Sequence, residues 1–293
     1  MEGEYRGIWG YSDDNWAVAP SLSALQDMIS TMEEYAASHN LKFSTDPNPV
    51  KCKTKCMAYL RKQRELPSMM LCGTTLPWVD HIKHLGITVG NKIDGCQKDI
   101  LIKRARFIAR SSEINQEFHF IPADSRMKLH HIYNSHFTGS CCWDMTSRAG
   151  EMFEATFNRN IKITYDLPYP THRNILPVIS NVQPLRVTLA KRLLSFIQKI
   201  KKSEKTVLRS ILSVVESDVR TITGRNLRSI LEMCNKSTVQ QLSTSDMDSV
   251  SYYGEPDSWR IVSIMEILEA RAGKVEMPED WSRRELEDIL EVA

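Results

Sequence analysis

The stretch Ile8-Trp-Gly-Tyr11-Ser-Asp-Asp-Asn-Trp16-Ala-Val-Ala19 constrains the fold more than any other part of the chain. Two short apolar runs flank the polar group Ser12-Asp13-Asp14-Asn15. Aspartate and asparagine tolerate the backbone of a tight turn, so the spacing predicts strands at Ile8–Tyr11 and Trp16–Ala19 joined as a hairpin. Adjacent carboxylates at such a place have two readings: turn chemistry, or half of a metal site. Pro20-Ser21 then opens a helix, with Ser21 as N-cap and Leu22, Leu25, Ile29, Met32 and Ala36 on one face. His39-Asn40 ends it.

Short extended segments are expected next, at Leu41–Ser44, Lys55–Leu60 and His84–Val89, with a short strand or a turn around Gly73 within Leu71–Thr75. From Asp94 the pattern changes. Helical periodicity runs through 96–120, 122–138 and 148–163. It resumes from Pro184 to about Lys202 and from Lys205 to Val219, after a linker marked by Pro168, Pro170 and Pro177. Ser243–Ser251 reads as a polar loop. Ser282 and Glu285 form a capping box before Leu286, Ile289 and Leu290. The expected fold class is α+β, mixed first and then helical. The expected divisions are 1–93, 94–180, 181–253 and 254–293.

Charge is unevenly spread. Gly254–Ala293 holds eleven acidic residues against five basic ones, so a net +2 leaves +8 on the other 253 residues. The bases bunch in three groups. The first is Lys42, Lys51, Lys53, Lys55, Arg61, Lys62 and Arg64. The second is Lys98, Lys103, Arg104, Arg106 and Arg110, and the third runs from Arg186 to Arg209. Such patches suit a polyphosphate partner or are solvated helix faces. The acidic tail is a match for a basic surface.

Seven cysteines without framework spacing point to reduced thiols. Cys52-x3-Cys56 lies within zinc-ligand spacing, but no second clean pair follows, and ordinary core cysteines fit better. An acidic Met1-Glu2-Gly3-Glu4 start, and no apolar run near the roughly 18 residues of a membrane span, lead to the expectation of an intracellular protein, cytoplasmic or nuclear, with no membrane partner.

Tyr11-Ser12-Asp13-Asp14 followed by Ala19-Pro20-Ser21-Leu-Ser-Ala-Leu-Gln26 resembles motif C of reverse transcriptases, of the non-LTR retrotransposon branch. Further matches follow in order. Leu41-Lys-Phe-Ser44 is similar to the strand opening motif D, and Lys51-Cys-Lys-Thr-Lys55 to the lysine-rich segment after it. Lys83-His-Leu-Gly86 is similar to the Lys-Tyr-Leu-Gly of motif E, the primer grip. Asp166–Arg173 resembles the helical region beyond the polymerase core. The similarity covers roughly residues 8–180.

This resemblance implies a partial palm followed by a helical thumb. It implies RNA-directed DNA polymerase chemistry, an in-line phosphoryl transfer clamped by two Mg2+ ions about 4 Å apart. Asp13 and Asp14 would be the metal ligands, and Lys51, with Lys53 second, the proton donor to pyrophosphate. Tyr11, Ser12, His84, Leu85 and Gly86 would contact the primer. Partners would be an RNA template and an RNA–DNA or DNA primer duplex, which the basic groups and His130, His131 and His136 could track; core or surface packing is the ordinary reading of the three histidines. Phe137 and Trp143 are expected in the core rather than on bases. Motifs A and B belong many tens of residues upstream of the hairpin, yet ten residues precede Tyr11. The expectation is a fragment inactive by itself; the alternative is a retained nucleic-acid-binding or protein-interaction module. An RNA-virus polymerase fragment fits the Ala19–Gln26 helix and the Lys83–Gly86 strand less well.

Overall fold

A computed structural model describes residues 7–12, 14–48, 50–60, 65–92, 95–135 and 137–248. Asp13, His136, the bases at 61–64, the capping box at Ser282 and the acidic tail lie outside the described residues. The class is α+β, and the chain divides into two compact units, residues 1–95 and 96–293.

In the first unit, β1 (Gly7–Tyr11) and β2 (Asp14–Val18) pair antiparallel from Gly7↔Val18 to Tyr11↔Asp14. Helix α1 (Leu22–Ser38) starts at Ser21, whose side chain accepts from the Ala24 amide at 3.2 Å. It stops at His39, with Asn40 at φ +56°. Two more hairpins follow. One joins β3 (Met69–Leu71) to β4 (Thr74–Leu76), and the other joins β5 (His81–His84) to β6 (Ile87–Gly90). The segment expected as one strand, His84–Val89, is therefore split by a turn. Its reversal occurs at Leu85-Gly86, with φ of +47° and +79°.

The strands expected at Leu41–Ser44 and Lys55–Leu60 do not form. Residues 41–46 carry no regular structure, and of 55–60 only Cys56 joins a bridge, to Trp78. Phe43 and Cys56 reach the core, but Leu41, Tyr59 and Leu60 are exposed, so burial does not alternate along either run as a paired strand requires. Side-chain turns hold the path between them instead. Asp46 accepts from the Asn48 amide at 2.8 Å, and Asn48 from that of Val50 at 3.0 Å.

Ile29, Cys52, Cys56, Met69, Leu71 and Leu76 form this unit's core, with Leu22, Leu25, Phe43 and Trp78 against it. Cys52 and Cys56 are thus core residues. Burial, with Cys52 adding to it, pushes the Cys56 thiol up to about 11. All seven cysteines are free thiols. Gln26 ties α1 to the edge of β3, its amide exchanging two hydrogen bonds of 2.9 Å with the Met70 backbone. A side chain at Gly90 would meet Gly95 Cα at 2.6 Å and the His81 ring at 2.9 Å. β6 must end in glycine for the chain to turn back into the next helix.

The second unit is helical: α2 (Gly95–Glu117), α3 (Ala123–Asn134), α4 (Arg148–Thr164), α5 (Leu176–Ser180), α6 (Leu185–Lys201), α7 (Thr206–Ser217) and α8 (Ile222–Met233). Helices α5 and α8 go beyond the expected set, as Pro177 sits in the first turn of α5, where its missing N–H costs nothing. One apolar cluster draws on both sides of position 180, from Ile100 and Phe107 through Phe153, Leu185 and Leu193 to Leu227 and Met247. Phe137 and Trp143 lie in it, as expected, at 4% and 2% exposure, in edge and tilted contact with Phe153. The Trp143 indole donates to the buried carboxylate of Asp99 at 2.8 Å. Within the polar stretch 243–251, residues Ser245–Asp248 form a short 3-10 turn that buries Met247.

Candidate functional site

The β1–β2 register leaves two positions, 12 and 13, as the loop. Ser12 takes a left-handed φ of +57° and is exposed. Tyr11 pairs with Asp14 through the backbone. Asp14 therefore stands at the start of β2, its carboxylate 58% exposed. Asp14 is one hard-oxygen donor of the kind Mg2+ takes and by itself makes no cation site; Asp13, its expected companion, lies outside the described residues. Among the described residues, no group of three histidine, cysteine, aspartate or glutamate side chains is arranged to hold a metal ion.

Seventy residues along the chain, His84 closes β5 and comes to Asp14. Its Nδ1 lies 4.0 Å from Asp14 Oδ2, and its ring sits 5.0 Å from that of Trp16 at 59°. Asp14, Trp16 and His84 thus make one corner of the first unit, with the exposed Leu85-Gly86 turn next in the chain. Trp16 read from sequence only as a strand residue. The signal that marks it is its place two residues after Asp14, on the same face of β2.

Lys51 is not drawn into this corner. It is exposed in a turn where its backbone N–H donates to the Asn48 carbonyl at 3.0 Å, and no ion pair links it to Asp14. Lys53 is exposed as well.

The expected duplex-tracking groups of the second unit divide. His130 is a core residue, 4% exposed. Asn115 donates its amide to Asn160 Oδ1, which turns Asn115 Oδ1 toward His130 Nε2 at 3.2 Å. His130 therefore carries its proton on Nε2, and Nδ1 is left buried without a partner. Burial, with Arg126 nearby, lowers its pKa to about 4. His131 is exposed. Several bases serve the unit itself. Lys103 donates to the Thr138 carbonyl, Arg104 to Thr156, Arg110 to the Tyr133 carbonyl, and Arg192 to the Ser135 carbonyl. Arg186 pairs with Glu154 at 2.7 Å. Lys98, Arg106, Lys199, Lys202, Lys205 and Arg209 remain exposed.

The Asp166–Arg173 block is architectural. Asp166, at φ +52°, ends the turn after α4 and pairs with Arg126 at 3.6 Å. Lys162 donates to the Tyr169 carbonyl and lies 5.6 Å over its ring. No helix among the described residues is long and apolar enough to cross a membrane.

No protein-family model matches the chain, and no curated protein and no solved structure matches it either.

Proposed function

We propose that residues 7–92 are the motif C to motif E portion of a non-LTR reverse-transcriptase palm, that the helical unit acts as its thumb, and that the chain grips a primer–template duplex without copying it unaided. The observation that carries this reading is the 4.0 Å approach of His84 to Asp14. Two segments that resemble the catalytic hairpin and the primer grip meet at one corner, although 69 residues separate them in sequence. In this reading Asp13 and Asp14 hold Mg2+, whose part is to neutralise charge during phosphoryl transfer. In the same reading Tyr11, Ser12, His84, Leu85 and Gly86 are the residues that contact the primer. The third carboxylate such a site uses has no counterpart by motif among residues 1–293. A polypeptide of these residues with primed RNA, Mg2+ and deoxynucleotides is expected to give no extension.

A second reading, nucleic-acid binding without catalysis, draws on His84 itself. It stands where the family resemblance has tyrosine, and imidazole is a poor ligand for Mg2+.

The test is a primer–template duplex with a photoreactive nucleotide at the primer 3′ end. Cross-links are expected within residues 7–18 or 81–90. Cross-links confined to other peptides, or none above a single-base competitor, would overturn the palm assignment.

A further inference from the structure

Helices α3, α4, α5 and α6 of the second unit line a cavity of about 950 Å3. That volume falls in the range of small-molecule sites, which occur between the helices of bundles. Its wall includes Phe157, which packs against two apolar clusters at once. One is the main cluster of the unit, and the other is a smaller one of Met127, Ile161 and Leu176. Met127 and Ile161 also line the cavity and are buried, while Ile179 and Val182 line it half-buried. Packed interiors leave few voids larger than a water molecule, so a hollow of this size between two clusters asks for an occupant.

One wall is charged. Arg192 lines the cavity from α6, with Thr188 one turn before it on the same face. The Arg192 side chain is half-buried, and burial lowers its pKa. It donates to the Ser135 carbonyl at 2.9 Å and lies 5.3 Å from the centre of the Phe137 ring. A carbonyl and a ring orient the guanidinium without neutralising it, and among the described residues no carboxylate pairs with it. Lys128, exposed on α3, brings a second cation to the lining. The acid of the lining, Asp124, accepts from the Tyr165 hydroxyl at 2.7 Å. A cation drawn partly out of water without an acid is costly, and an incoming carboxylate would relieve that cost. The guanidinium fork also matches the two oxygens of a carboxylate.

We propose that this cavity binds a small amphipathic carboxylate, its head on Arg192 and Thr188 and its aliphatic body against Met127, Phe157, Ile161 and Val182. The site is independent of the polymerase reading and needs no nucleic acid.

Calorimetric titration of the full chain with dodecanoate, kept below its micelle concentration, tests it against 1-dodecanol and dodecyltrimethylammonium. One site is expected, with dodecanoate tighter than 1-dodecanol by about tenfold or more and the cationic amphiphile unbound. Arg192→Gln should bring dodecanoate down to the level of 1-dodecanol, whose own binding stays unchanged and so reports that the walls remain in place. Arg192→Lys, which keeps the charge, should keep part of the preference. Val182→Trp fills the cavity and should abolish binding of both without lowering the thermal melt. Equal affinity for dodecanoate and 1-dodecanol, a preference that survives Arg192→Gln, several equivalent sites, or full binding by Val182→Trp would each overturn it.

Discussion

Asn226 is 1% exposed on α8 and makes two contacts with a loop some eighty residues away. Its Nδ2 donates to the Trp143 carbonyl at 2.6 Å, and its Oδ1 accepts from the Met145 amide at 3.0 Å. Arg225 beside it reaches Asp144 at 2.6 Å. Asn226→Ala removes one donor and one acceptor and strands two buried backbone groups, a loss of about 3 kcal/mol. A urea titration by circular dichroism checks this, and a change under 1 kcal/mol would contradict it. His130 adds a pH dependence. Its folded pKa of about 4 lies below the ordinary value of 6.5, so its contribution is intact above pH 6.5. Between 6.5 and 4 the unfolded chain gains a proton that the folded chain refuses, and stability falls by up to about 3 kcal/mol. An NMR titration should show the ring neutral at pH 5; titration near 6.5 would contradict the burial account. Asn226 was not legible in sequence, whereas packing was already the ordinary reading of His130. A buried asparagine and a surface one differ only in a distant backbone partner. By contrast Ser21, Phe137 and Trp143 were legible, because a cap is local and a large aromatic has few places to go.

At the scale of elements, the three hairpins share one device. Each reverses in two residues, the first of them left-handed: Ser12 at +57°, Cys72 at +49° and Leu85 at +47°. The strand-turn-strand at 8–19 was legible because Asp and Asn announce such a turn. A strand or a turn was legible around Gly73, whereas Leu85-Gly86 was obscure, since an apolar residue in the left-handed region runs against preference and reads as strand interior. Leu85 is strained and 46% exposed, which suits a position kept for contact rather than stability. Leu85→Asn is expected to stabilise the first unit by about 0.5–1 kcal/mol while weakening duplex binding. A thermal melt and a binding titration on one sample check both, and gain in both would contradict the contact role. Helix α5 escaped notice because Pro177 reads as a breaker unless the helix start is known. The missing strands at 41–44 and 55–60 each bring one residue to the core, Phe43 and Cys56, without the alternating face a strand needs.

For the whole molecule, the change from a mixed first part to a helical second part was legible and the division of charge was not. The bases of the second unit split into those that brace it, such as Arg104, Arg186 and Arg192, and those left to solvent, such as Lys98 and Arg106. Only the latter can release counterions on binding, so the salt slope should be smaller than the count of bases suggests. The central claim is a grip on a primer–template duplex, and fluorescence anisotropy with an RNA–DNA hybrid tests it most directly. Binding is expected at low salt, with a slope of log K against log salt of about −3, and preference for a hybrid with a recessed 3′ end over a blunt one. No binding at about 50 mM salt, or binding indifferent to salt, would contradict it.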